Sequence, residues 1–253
     1  MENRRSVQSG RSRCRRLAMV VWLFAGGGEA EVRGLAPFFE EHFPDHKFER
    51  KSSVRRKPGP RPGIAVQCGY GLTGKGLVRD IPRRLRDSLD NGEKCDMILV
   101  FDDLDCRDFS QQKGGYLNAI NSVEGVDDIK KYVGFAAPEI EARIIADWNN
   151  SLAKHPDFRA RHNAMRHWLS VEKKILFSDP ESFGNYDPER DTCDEKMSEA
   201  IIESATLTPE DRFRPRYSKA KHTPELLLDI KPTEVLKRCP LFRDLYYFFK
   251  TNA

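Results

Sequence analysis

The sequence predicts an α/β fold: a mainly parallel sheet flanked by helices, followed by a mostly helical C-terminal part. Three observations carry this. Apolar, β-rich runs at Val20–Phe24, Met97–Phe101 and Tyr132–Ala136 alternate with stretches of helical spacing, the pattern of a sheet built from strand–helix units. Met97–Phe101 is wholly apolar and ends in "DDLD", as a parallel strand buried on both faces requires. From Ser151 onward no comparable strand run occurs. The chain thus divides into residues 1–18, a basic tail or the product of a start placed too far upstream, residues 19–150, the α/β domain, and residues 151–253, the helical region.

The elements follow in order. Val20–Phe24 is a strand, "LFAGGGEAE" (Leu23 to Glu31) carries its glycine turn, and Val32, Leu35, Phe39 and Phe43 give 30–43 a helical face. A segment rich in Pro, Gly and Arg (Lys57 to Gly63) precedes a short strand at Ile64–Cys68. Leu77, Ile81, Leu85 and Leu89 then mark a helix in which Pro82 belongs near the first turn. After the strand at 97–101 come a helical stretch at Gly115–Val123, the strand Tyr132–Ala136, and a helix through Ile140, Ile144, Ile145 and Trp148. Further on, Phe158–Phe177 and Cys193–Ser204 read as helical and Phe183–Pro188 as loop.

Composition narrows the function classes. The 253 residues carry a net charge of +4, concentrated in two basic runs, Arg50 to Arg61 and Arg212 to Lys221. Each run is either solvated surface or a surface for nucleic-acid or nucleotide phosphate. No apolar run reaches the roughly 18 to 20 residues that span a bilayer. "RSRCRRLAMVVWLFAGG" has the outline of a secretory leader but serves equally as a buried first strand. Six scattered cysteines with no CxxC pair indicate neither a zinc site nor a disulfide framework, so a cytoplasmic location is expected.

Ligands of open α/β sheets gather at the carboxyl ends of the strands. In "FDDLDCRD", Asp103 and Asp105 stand two apart at such an end, and clustered carboxylates call for a cation such as Mg²⁺ or Mn²⁺. Caps for the next helix are the competing reading. Glu139 and Glu141 lie roughly 200° apart on a regular helix, so both are not expected in one site. Glu141 shares a face with Ile144, Ile145 and Trp148, where an unpaired carboxylate is costly, making it the stronger candidate. Arg143 and Asp147 have the spacing of an ordinary ion pair. "GYGLTGKG" (Gly69 to Gly76) resembles a phosphate loop but has Gly76 where a hydroxyl should hold Mg²⁺. It is read either as a P-loop-like nucleotide triphosphatase or as a turn whose Lys75 faces phosphate or solvent. His162 and His167 have no ligand partners at metal spacing.

Taken in order, "LFAGGGEAE", "GLTGKGL", "FDDLDCRD", "APEIEARIIAD", "RYSKAKHTPELLLDI" and "CPLFRDLYYFF" resemble the bacterial family called domain of unknown function 4276, from about Met19 to Phe249. Its first part resembles a Toprim sheet. The resemblance implies a divalent-metal-dependent nuclease or phosphodiester-processing protein, active in bacterial antiviral defence beside a partner ATPase. Metal would be held by Asp103, Asp105 and Glu141. Glu141 and Glu29 would supply the general base, and Lys219 and His222 would contact phosphate, with Lys75 as a further basic contact. The family's first-strand glutamate falls on Ala25, and an aromatic is usual where Arg143 stands. The loss at Ala25 keeps open an impaired enzyme, or a non-catalytic module that binds nucleic acid or a partner.

Overall fold

The computed structural model describes residues 18–26, 28, 31–53, 55–56 and 69–252. Its elements are β1 (Val20–Ala25), a π-helical turn (Glu31–Leu35) running into α1 (Ala36–His42), β2 (Lys47–Arg50), β3 (Arg55–Arg56), β4 (Gly69–Tyr70), α2 (Lys75–Asp90), β5 (Met97–Asp103), α3 (Phe109–Asn121), β6 (Lys130–Ala136) and α4 (Glu141–Ala146). They continue with α5 (His162–Val171), β7 (Tyr186–Asp187), β8 (Thr192–Cys193), α6 (Met197–Ser204), α7 (Lys219–Asp229), α8 (Pro232–Arg238) and α9 (Pro240–Asn252). Strands β2, β1, β5 and β6 form, in that order, one wholly parallel sheet. The fold is therefore α/β, with a helical C-terminal part.

Side chains alternate across the sheet and feed two cores. Trp22, Phe24, Ile98 and Val100 pack against Leu77, Ile81 and Leu85 of α2 and Tyr116 and Ile120 of α3. Val21, Leu23, Ala25, Leu99 and Phe101 face α1 together with Leu226 of α7 and Phe242 and Phe249 of α9. The region after residue 150 thus shares the core of the sheet and covers one of its faces.

Several expectations need correction. Strand β2 escapes sequence reading because Lys47, Phe48, Glu49 and Arg50 are polar but for one residue, as suits a sheet edge where only Phe48 is buried. Pro82 lies at the eighth residue of α2 and costs it a backbone bond, yet the helix runs on because Leu77, Ile81 and Leu85 are fully buried around it. The helix expected over 158–177 shrinks to α5, and the loop at 183–188 contains a strand of the small hairpin β7–β8. Cys106 and Cys193 form a disulfide across 87 residues, a separation at which no spacing signal exists. With that bond, the cysteine pattern no longer argues for a reducing compartment. The strand expected at Ile64–Cys68, the basic tail and Glu29 lie outside the described residues.

Candidate functional site

Asp103 ends β5, and its carboxylate accepts the backbone N–H of Ile140 at 2.9 Å. Glu139 sits in the turn after β6, and Glu141 is the first residue of α4. Because the helix starts only at Glu141, the 200° separation expected within a regular helix does not apply, and both glutamates reach one point. That point is the ammonium of Lys219, at the start of α7. Its Nζ lies 3.0 Å from Glu139, 3.3 Å from Glu141 and 3.4 Å from Asp103.

Each carboxylate is held by a different element. The N–H of Ser198 donates to Glu139 at 2.9 Å, which places a carboxylate at the first turn of α6, where helix N–H groups favour negative charge. Thr223 Oγ1 donates to Glu141 Oε1 at 2.8 Å, and the Tyr217 hydroxyl lies 3.4 Å from the same oxygen. Glu141 is fully buried, and its Oε2 has no hydrogen bond, only the nearby ammonium. Burial pushes the Glu141 carboxyl above its ordinary pKa against the pull of Lys219. Burial acts on Glu139 in the same sense, but Lys219 and Ser198 together outweigh it and hold that carboxyl below the usual range. Burial, then the neighbouring Glu141, drives the Tyr217 phenol well up, so it remains a neutral donor.

The D-x-D pair is divided. Asp105 adopts a left-handed backbone (φ 50°), tolerated by Asp, and pairs with Arg107 at 3.1 Å rather than with Lys219. Arg107 in turn reaches Asp191 beside the β7–β8 hairpin at 3.2 Å. Asp102 points to the other face of the sheet, where it accepts Gly74 N–H at 2.8 Å and the Tyr116 hydroxyl. Burial raises the Asp102 carboxyl to about 6. Gly26 is required beside it, since a Cβ there would come within 1.9 Å of Asp102 Oδ1. Ala25 pairs in register with Phe101, two residues before Asp103, so its methyl lies wholly buried on the same sheet face as the Asp103 carboxylate.

The remaining candidates take other positions. His222 is buried, with Ser218 N–H on Nδ1 at 2.8 Å and Asp157 at 3.2 Å from Nε2, so it fixes the entry to α7 instead of facing a ligand. Lys75 is largely exposed and pairs with Asp191 at 3.2 Å. The glycine loop before it spends the Gly74 N–H on Asp102, and β4 pairs with β3 outside the main sheet. Arg143 forms no pair with Asp147. It stacks between Phe101 and Phe242, at 4.6 and 4.8 Å, and burial lowers its pKa to about 10. Asp147 instead accepts Lys231 N–H at 2.7 Å. His162 accepts the Trp148 indole N–H at 3.4 Å, and His167 is exposed.

Among the described residues, no group of three or more His, Cys, Asp or Glu side chains is arranged as a ready metal shell. Asp103, Glu139 and Glu141 offer carboxylate oxygens, the donor type a hard divalent cation takes, and Glu141 Oε2 is buried without a hydrogen bond. The ammonium of Lys219 stands among those oxygens. Compared with known proteins, the chain matches no family model, no curated protein and no solved structure. Among the described residues, no helix is long and apolar enough to cross a membrane.

Proposed function

We propose that the chain is a Toprim-like, phosphodiester-processing protein in which Asp103, Glu139 and Glu141 hold one Mg²⁺ or Mn²⁺, while Lys219 serves as the cation shared between these carboxylates and a substrate phosphate. The observation that supports this is the convergence of three carboxylates from separate elements on one ammonium at the carboxyl end of a parallel sheet. Burying so many charges is costly and is a mark of functional sites. A divalent ion bound there would stabilise developing charge and lower the pKa of a water. Glu141, whose carboxyl burial pushes up, is the more readily protonated of the two, whereas Lys219 and Ser198 favour the ionised form of Glu139. Nucleic acid as substrate, a partner ATPase and a role in bacterial defence belong to the same proposal and rest on the motif resemblance.

A second reading, a non-catalytic module that binds nucleic acid or a partner, is favoured by the methyl of Ala25 where the resembled family has an acid, and by the diversion of Asp105 to Arg107. One titration separates the two. Calorimetry with Mn²⁺ on the parent chain, Lys219→Met and Asp103→Asn is expected to show affinity about tenfold higher in the first variant and lost in the second. Metal-dependent cleavage of DNA or RNA should fall at least about 10²-fold in Asp103→Asn. Equal Mn²⁺ affinity in the three chains would remove the carboxylate cluster as a metal site and leave the binding module.

A further inference from the structure

The basic run at 212–221 ends in Lys219 and Lys221, and its first half forms a displayed arm. Arg212, Phe213, Arg214, Pro215 and Arg216 are all exposed, Phe213 by 93%, the highest exposure among the large hydrophobic side chains described. A fully solvated ring gains nothing from packing, so its place in the fold needs another reason.

The arm is anchored at its base. Buried Arg161 donates to Ala205 O at 2.6 Å before the arm, to Pro215 O within it, and lies 3.4 Å from Asp211. Asp211 Oδ2 also accepts the N–H and hydroxyl of Thr208, each at 3.0 Å, which closes the turn Pro209–Phe213. Both ends of the loop are thereby tied to one guanidinium, and the Phe213 ring is presented on a fixed base. Just before the arm, Asp211 is buried and Glu210 is exposed, while the arm itself carries three exposed arginines. Arg214 approaches Asp211 only at 3.9 Å, which leaves its charge largely to solvent.

We infer that this arm, Arg212 to Arg216, binds single-stranded nucleic acid, with the Phe213 ring stacking on an unpaired base and the arginines on flanking phosphates. An aromatic face among arginines is how sequence-tolerant single-strand sites are built, because every base has a π-face and every linkage a charge. A duplex would offer the arginines its phosphates but keep its bases stacked away from the ring. Phe213 precedes Lys219 by six residues, at most about 20 Å of chain, so a strand held on the arm passes within a few nucleotides of the carboxylate cluster. The inference extends the proposed function by naming the form of nucleic acid, and it holds whether or not the cluster cleaves.

Fluorescence anisotropy in EDTA, with a labelled mixed-sequence single strand and its duplex, tests binding apart from any metal chemistry. The parent chain should prefer the single strand. Phe213→Ala should weaken single-strand binding by roughly 5- to 100-fold with an unchanged salt slope, and Phe213→Trp should restore it. Arg212→Ala combined with Arg214→Ala should lower that slope by about 0.7 for each phosphate that is no longer neutralised. Both sites are exposed, and an unchanged melting temperature verifies the fold. Duplex binding as tight as single-strand binding, indifference to Phe213→Ala, or loss of phosphatidylserine-vesicle binding in Phe213→Ala without loss of oligonucleotide binding would each overturn the inference. Failure of cleavage with this binding intact would count against the metal site alone.

Discussion

Asp102 shows how much a single buried acid sets at the scale of one residue. It is 2% exposed, bonded to Tyr116 and Gly74 through one oxygen, while Oδ1 has no hydrogen bond. Its pKa stands at about 6 against an ordinary 3.8, so the folded state holds a proton there that the unfolded chain has released. Between those two values the native state binds more protons, and stability from this group falls as pH rises, levelling off above about pH 6. Two pKa units correspond to about 3 kcal/mol. Asp102→Asn keeps an acceptor for both donors and carries no charge, so it should be more stable than the parent chain at pH 7 by up to about 3 kcal/mol and nearly equal to it at pH 4. Urea unfolding of both chains at the two pH values measures this; a difference independent of pH would show that Asp102 does not titrate in this range. Glu141 and Glu139 are common to both chains and cancel in the comparison.

At the scale of elements, the loop after β5 is fastened to the β7–β8 hairpin by the Cys106–Cys193 bond and by Asp191, which meets Arg107, Lys75 and the Tyr186 hydroxyl. Closing a loop of 87 residues lowers the entropy of the unfolded chain by the equivalent of about 4 to 5 kcal/mol in the chain-entropy model. Cys193→Ser is therefore expected to lower stability by about 2 to 4 kcal/mol, and reducing agent should lower the parent chain to the same level while leaving the variant unchanged. If reductant moves the two melting curves equally, the bond contributes nothing. The same elements show what a sequence can disclose. Strands β1 and β5 were legible because they are central and present continuous buried apolar runs, and β6 was legible from the buried apolar stretch that follows its two lysines. The polar edge β2 was not, nor was the start of α4: a helix boundary of two residues decides whether Glu139 and Glu141 diverge or meet, and boundaries are what periodicity fixes least well. Asp103 was legible from its place after an apolar run. Asp105 looked equivalent, and its diversion depends on Arg107 and on a hairpin more than 80 residues away.

At the scale of the whole molecule, the absence of apolar strand runs from Ser151 onward marks a change of architecture, while the residues beyond it share the core of the sheet. The carboxylate cluster depends on both parts, since Asp103, Glu139 and Glu141 come from the sheet region while Lys219, Thr223 and Ser198 come from the helices beyond it. Sequence could place Lys219 only through a motif resemblance, because its hydrogen bonds to Glu139 and Asp103 span 80 and 116 positions and leave no local trace. The apolar face containing Leu23, Leu99 and Phe101 is covered in part by Leu226, Phe242 and Phe249 from α7 and α9. A fragment ending at residue 150 would expose that face to water at roughly 25 cal/mol per Å² of apolar surface, and would leave Glu141 without Thr223, Tyr217 or Lys219. Loss of three or four large buried side chains' worth of burial, at roughly 1.5 to 3 kcal/mol each, together with the broken ion pairs, rivals the roughly 5 to 15 kcal/mol by which a domain is ordinarily stable. The fragment 19–150 is therefore expected to give no cooperative urea transition and to bind a hydrophobic dye, whereas the full chain melts in one step. Adding residues 151–253 as a separate polypeptide should restore the transition if both pieces can meet. A sharp, reversible transition in the isolated fragment would show instead that the sheet folds alone and that the cluster assembles only when the helical part docks.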